Sequence, residues 1–268
     1  MTSSASESSD NPTAAGWIAV VGLGPGRPEW LVPEAATYLE EATDFVGYHT
    51  YLAMVPAALR HDQVVHGSDN REELDRARFA LQLASEGRRV AVISSGDPGV
   101  FAMASALFEA QTDEQVRPHW AALDIIVVPG ITAALATAAR VGAPLGHDWC
   151  TISLSDNLKP WSIIEKRLGH ALAADFVLAL YNPVSRRRPT QLAVAFEIIR
   201  AHRDRSTPIV LGRDVGRPDE HIEIVELGDV DLGRCDMRTV ILVGSSTTRI
   251  DDLGGHRRVF TPRSYPLT

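Results

Sequence analysis

The 268-residue chain is 45% apolar and 22% charged, with a formal net charge of −8, the make-up of a folded globular protein. That acidity argues against a general nucleic-acid binder, which works by neutralising phosphate with lysine and arginine. The two cysteines, Cys150 and Cys235, lie far apart and argue against a disulfide framework or a zinc or iron–sulfur cluster, so no metal is expected.

Met1 to Ala15 is rich in Ser, Ala, Asp and Glu and lacks the basic start and apolar run of a signal peptide; residues 1–15 are expected to be a disordered leader. No apolar run nears the roughly 20 residues that cross a bilayer, so no membrane partner and a cytoplasmic location are expected. Trp17 to Val21 is a short apolar run that stops at Gly22-Leu23-Gly24-Pro25-Gly26, the pattern of a buried parallel strand entering a tight loop. A helix follows from about Pro33 to Ala42, with proline in its first turn. Asn70-Arg71-Glu72-Glu73 has the spacing of a capping box ahead of a helix whose Leu74, Ala77, Leu81 and Ala84 share one face. Val90 to Ile93 and Ile125 to Val128 are further strands, ending in Ser94-Ser95-Gly96-Asp97-Pro98 and Pro129-Gly130-Ile131-Thr132-Ala133-Ala134. This alternation predicts an α/β domain over 16–141 with a mainly parallel sheet. The Gly/Pro-rich stretch 142–149 reads as a linker. A second α/β domain is expected over 150–250: strands at Thr151–Leu154, Phe176–Leu180, Ile209, Ile222–Val225 and Val240–Val243, and helices at Ser162–Ala173 and Thr190–His202. Residues 251–268 are expected to be a loose tail.

Three loops stand at strand ends, where α/β sheets collect ligands. The glycines of 22–26 allow a sharp turn and close approach, although the third arrives one residue too early for the dinucleotide fingerprint G-x-G-x-x-G. Asp97-Pro98 fits either a plain helix start, with Asp97 as N-cap, or a carboxylate offered to a ligand. Gly130-Ile131-Thr132-Ala133 places N–H groups and a hydroxyl at a helix start.

Together these loops resemble those of the tetrapyrrole methylase superfamily. Gly47-Tyr48-His49-Thr50-Tyr51-Leu52, Ser153-Leu154-Ser155-Asp156-Asn157-Leu158-Lys159-Pro160-Trp161 and Leu180-Tyr181-Asn182-Pro183-Val184-Ser185-Arg186 narrow the resemblance to its precorrin-3B C(17)-methyltransferase family, over about Trp17 to Ile250. The resemblance implies the tetrapyrrole methylase fold, two α/β domains with the cofactor cleft between them, commonly in a homodimer. It implies S-adenosyl-L-methionine as methyl donor, leaving as S-adenosyl-L-homocysteine. The donor would be contacted by Pro25, Gly96, Asp97, Val100, Thr132, Ala133, Tyr181, Asn182 and Gly212. The implied reaction adds a methyl group at C-17 of a tetrapyrrole, precorrin-3B, and contracts the ring to precorrin-4, in cobalamin biosynthesis. Some relatives acting on cobalt-containing intermediates carry an iron–sulfur extension whose cysteines are missing here, which mildly favours the metal-free substrate over cobalt-factor III.

Asp156, Tyr181, Ser155 and His147 are the candidates for a catalytic proton relay. Each has a plainer reading: Ser155 and Asp156 as helix caps, His147 as a solvated loop residue, Tyr181 as a lining of the cleft. The substrate is a polycarboxylate, so Arg186, Arg213 and Arg217 are expected to bind its carboxylates, while Arg187 and Arg188 fit a solvated charge run equally well. Three rivals remain: a nicotinamide-dependent reductase with Asp44 on the ribose, a ribosomal-RNA methyltransferase of the same fold, and a non-catalytic corrinoid carrier.

Overall fold

The computed structural model describes residues 16–69, 72–113, 118–185 and 187–265; the leader 1–15, Asn70, Arg71 and Arg186 lie outside them. The chain divides into two compact units, Met1–Leu23 with Leu31–Gly130, and Gly24–Trp30 with Ile131–Thr268.

The first unit runs β1 (Trp17–Gly22), α1 (Pro33–Glu41), β2 (Asp44–Tyr48), α2 (His49–Leu52), β3 (Val64–Ser68), α3 (Glu73–Ser85), β4 (Arg89–Ser94), α4 (Met103–Thr112) and β5 (Ile125–Val128). Its sheet has the order β3-β2-β4-β1-β5, with every pair parallel. The central strands are apolar throughout because both sheet faces are covered. Ile18 and Val20 of β1, with Val90 and Val92 of β4, pack against α3 and α4, while Ala19, Val21, Ala91 and Ile93 pack on the opposite face with α1. Pro33 opens α1 as expected.

Two expectations for this unit need correction. The observed N-cap of α3 is Glu72, with no side-chain cap bond, so Glu73 is the first helical residue and cannot close a capping box. Leu74 is 41% exposed, whereas Arg76 and Ala80 join Ala77, Leu81 and Ala84 on the buried face. Arg76 joins this face because its guanidinium turns inward to Ser68 Oγ (2.9 Å) and the Asp69 carbonyl (2.6 Å).

The second unit runs α5 (Ala133–Val141), β6 (Gly142–Ala143), β7 (Trp149–Ser153), α6 (Trp161–Ala173), β8 (Val177–Tyr181), α7 (Gln191–Arg200), β9 (Pro208–Arg213), β10 (His221–Glu226), β11 (Thr239–Val243), β12 (Arg249–Leu253) and β13 (His256–Phe260). Its sheet has the order β10-β9-β11-β8-β7 and is mixed: β7 and β8 are parallel, the other pairs antiparallel. One face packs on α6 and α7 through Leu168, Leu172, Phe196 and Ile199, the other on α5 and β13 through Ala134, Ala138 and Val259.

The stretch expected as a linker contains β6, which pairs with β13, and the stretch expected as a loose tail contains most of a β-hairpin, β12–β13. Thr261, 3% exposed, donates its hydroxyl to the Pro144 carbonyl at 2.5 Å and its N–H to Ala143 at 3.0 Å. Gly142 has φ +136°, and a Cβ there would lie 2.6 Å from the Val259 carbonyl oxygen. Its glycine serves a close strand contact rather than a hinge.

Candidate active site

The three loops singled out in the sequence leave the sheet side by side. β1 lies between β4 and β5, with Gly22 opposite Ser94 and Val21 opposite Val128, so all three strands end at the same level. Beyond them the backbones nearly touch. A Cβ placed on Gly22 would lie 2.8 Å from the Gly130 nitrogen, the Gly96 carbonyl oxygen and Pro98 Cδ, and one on Gly130 would overlap the Gly96 oxygen. A side chain at either glycine would fill the space the loops share.

Asp97 ties this junction together. Its Oδ1 accepts the Gly99 N–H at 2.8 Å and its Oδ2 the Gly130 N–H at 3.2 Å. The helix-start reading fails, because α4 begins only at Met103 with Ala102 as its N-cap. Val100 closes a turn onto the Asp97 carbonyl at 3.2 Å.

Two of the loops run on into the second unit. The Pro25 carbonyl accepts Arg217 Nε at 3.2 Å, and the segment ends at Trp30, whose ring carries the Arg140 guanidinium 4.6 Å above its centroid. Arg140 in turn pairs with Glu220 at 3.0 Å. The other loop becomes the N-cap of α5 at Thr132, whose side chain makes no cap bond of its own. Tyr181, at the end of β8, supplies it instead: its hydroxyl accepts the Ala134 N–H at 2.9 Å and shares a hydrogen bond with Thr132 Oγ1 at 2.6 Å. Tyr181 is thus placed to hold Thr132 and Ala133 in position. Tyr181→Phe is expected to lower stability by about 1 kcal/mol, as for loss of an N-cap, and to weaken donor binding severalfold, measured by urea denaturation and titration calorimetry.

A second cluster forms where β7 and β8 end in register, Ser153 opposite Tyr181. Ser153 Oγ accepts the Asn182 side-chain amide at 3.0 Å and the Ser155 N–H at 3.3 Å. Asn182 sits at φ +52°, a conformation Asn tolerates better than most residues. Arg188 is 4% exposed, so the solvated reading fails for it, while Arg187 is exposed. Nη1 of Arg188 donates to the carbonyls of Leu154 (3.0 Å) and Asn182 (2.9 Å), and its Nε lies 3.6 Å from Asp156. Burial lowers the pKa of this guanidinium, and the Asp156 charge opposes that shift. Asp156 also accepts from Gln191 at 3.3 Å and caps nothing, since the N-cap of α6 is Pro160.

The remaining candidates lie elsewhere in the unit. His147 precedes β7 and accepts the Asp148 N–H at 2.7 Å, at the opposite end of that strand from Ser155 and Asp156. Gly212 is buried in β9 under α5, where a Cβ would strike the Thr137 side chain; it serves packing. Arg213 pairs with Asp236 at 3.0 Å and Asp214 at 3.1 Å, and Arg217 approaches Asp214 at 3.7 Å. Burial raises the Asp214 pKa despite the neighbouring Arg213 and Arg217 charges.

Asp44 starts β2 and so stands at the far end of the sheet from the glycine loops. It is 1% exposed and bonded to Arg88 (2.7 Å) and His66 (2.9 Å). Burial pushes its pKa up, but the hydrogen bonds from Arg88, Thr43 and His66 outweigh this and hold it below the usual value. It cannot serve a ribose. Burial pushes both thiols up, Cys235 to about 11 with help from Asp236 and Glu223, so neither offers a thiolate. Among the described residues no group of His, Cys, Asp or Glu could hold a metal ion, and no helix is long and apolar enough to cross a membrane.

Several of these residues escaped the sequence. Arg188, Ser153, Arg140 and Glu220 hold the loops through contacts distant in the chain. The proximity of Gly22 to Gly130 follows from strand order, which no local pattern encodes.

Residues 18–231 match the family described as Tetrapyrrole (Corrin/Porphyrin) Methylases. A precorrin-3B C(17)-methyltransferase from Sinorhizobium sp is 50% identical over 251 residues, 93% of this chain and 97% of that protein. A probable cobalt-factor III C(17)-methyltransferase from Salmonella typhimurium is 39% identical over 250 residues, 93% of this chain and 100% of that protein. The crystal structure of the methyltransferase CobJ, 52% identical, matches with a TM-score of 0.86 over 92% of this chain and 100% of that one. With the three-loop junction on one side and this likeness over nearly the whole length on the other, the chain belongs to the tetrapyrrole methylases.

Proposed function

We infer that this protein methylates precorrin-3B at C-17 and contracts the ring to precorrin-4, a step of cobalamin biosynthesis. The observation that carries this is the 50% identity to a precorrin-3B enzyme across 97% of that protein, against 39% for the cobalt-factor III relative. A carrier without catalysis has no need of a second, donor-binding loop set. An RNA methyltransferase is disfavoured by the net charge of −8.

The junction of Gly22, Gly96 and Gly130 fits S-adenosylmethionine: it has backbone close enough to admit no side chain and lies at the strand ends, where such ligands collect. When bound, the donor supplies an electrophilic methyl group and leaves as S-adenosylhomocysteine. Gly96, Asp97, Val100, Pro25, Thr132 and Ala133 hold it; Asp97 and Tyr181 keep these loops in place, and Asn182 adds a contact from the end of β8. The chain's task is mainly to position two reactants, which can supply much of the rate. Asp156, held by Arg188 and Gln191 with its side chain 28% exposed, is the group best placed to take a proton, with Ser155 beside it. His147 and Gly212 take no part in the chemistry. Arg186, Arg213 and Arg217 attract the substrate carboxylates; around Asp214 and Asp236, three guanidinium groups, of Arg213, Arg217 and Arg238, share two carboxylates. The enzyme works in the cytoplasm as a homodimer.

The test is incubation with precorrin-3B and methyl-labelled S-adenosylmethionine, read by mass spectrometry and NMR. Label at C-17 and a contracted ring bearing an acetyl group at C-1 are expected, with kcat/KM on cobalt-factor III at least about tenfold lower. Label at another ring carbon, or preference for the cobalt form, would reassign the substrate.

A further inference from the structure

Four described non-glycine residues have positive φ: Asp175, Asn182, Asp214 and Phe101, the last at +54°. Asn and Asp visit this region several-fold more often than other residues, whereas a bulky side chain there is a genuine outlier. Phe101 is also 50% exposed. The conformation is imposed from both sides. Asp97 and Val100 close a turn just before it, and the Ala104 N–H reaches back to the Pro98 carbonyl at 3.0 Å just after it. A glycine or asparagine would meet the same backbone demand without strain. Strained residues of this kind gather at ligand clamps.

The position indicates which ligand. The segment starts at the glycine junction, where Asp97 binds Gly130. It then runs toward the ends of β2 and β3, where Met103 Sδ meets Arg76 Nη1 at 3.4 Å and Arg76 holds Ser68 and Asp69. Phe101 therefore stands beside the donor loops and on the β2–β3 side of them. We propose that Phe101 is a substrate-recognition residue whose phenyl ring packs against a face of the tetrapyrrole, a flat, electron-rich π-system suited to offset or edge-on aromatic contact. This rests on the reading above that a tetrapyrrole is the methyl acceptor.

The test compares wild type with Phe101→Gly and Phe101→Trp in three measurements: KM for precorrin-3B and for S-adenosylmethionine, Tm, and an absorbance titration of the tetrapyrrole without donor. Phe101→Gly is expected to weaken tetrapyrrole binding and raise its KM about tenfold, within the range of aromatic stacking on a flat heterocycle. Its donor KM should stay within about twofold, and its Tm should equal or exceed that of wild type because the strain is gone. Phe101→Trp should keep wild-type tetrapyrrole affinity. An unchanged tetrapyrrole affinity in Phe101→Gly, a rise in donor KM instead, or a fall in Tm matching the loss of binding would overturn the proposal. Should wild type bind the tetrapyrrole but label it at a different carbon, the assigned reaction fails while the titration still decides the role of Phe101.

Discussion

Gly130→Ala is expected to destabilise the protein by about 3 kcal/mol, the upper end of ordinary overpacking, and to weaken S-adenosylmethionine binding by more than about 100-fold. The added methyl would overlap the Gly96 carbonyl oxygen and lie 3.0 Å from the Gly22 Cα and carbonyl carbon. All of these are backbone atoms at the ends of buried strands, and none can rotate aside as a side chain would. Relief requires the loops after β1, β4 and β5 to spread, which also breaks the Asp97 bond to the Gly130 N–H. Gly169→Ala supplies the control. Gly169 lies within α6, and a Cβ there meets nothing within 4 Å, so alanine should stabilise by about 0.5–1 kcal/mol. Urea denaturation and calorimetric titration of the donor check both. A Gly130→Ala protein that binds the donor like wild type would separate the junction from the donor site.

Asp97→Ala should weaken donor binding by about 10- to 100-fold while costing only about 1–2 kcal/mol of stability. The carboxylate joins two backbone N–H groups, of Gly99 and Gly130, and contributes nothing to a helix, so its loss frees loops rather than unravelling secondary structure. Asp97→Asn can still accept from Gly99, but its amide nitrogen then faces the Gly130 N–H, donor against donor. An intermediate affinity is expected from that variant. Calorimetric titration beside thermal unfolding separates the effects; a stability loss with donor affinity unchanged would make Asp97 a purely structural staple.

The first unit was legible because its information is local. A central parallel strand buried on both faces must be apolar at every position, and Trp17–Val21 and Val90–Ile93 were visible for that reason; Ile125–Val128, an edge strand with Val127 40% exposed, was visible as a short apolar run ahead of a Pro-Gly loop. The glycine loops were visible because few other residues accept such turns. The role of Asp97 was not. Asp-Pro is a common helix start, and only the delayed beginning of α4 at Met103 shows that the carboxylate reaches sideways to Gly130. The segment 142–149 and the tail misled for the same reason: Gly142 and Pro144 are typical of linkers until β13, more than a hundred residues later, pairs with them. Arg188 stayed open between a substrate contact and a solvated charge run, because nothing nearby reveals the carbonyls of Leu154 and Asn182 that draw it inward. Charge runs record composition, whereas burial depends on what the strand ends bring close.

The methyl donor is expected to sit at the meeting point of the loops after β1, β4 and β5. A crystal structure of the full-length protein with S-adenosylhomocysteine measures this directly. The ligand should lie against Gly96 and Asp97, with Thr132 and Ala133 also in contact. Density for it in another part of the molecule, with Gly22, Gly96 and Gly130 touching only one another, would contradict the assignment.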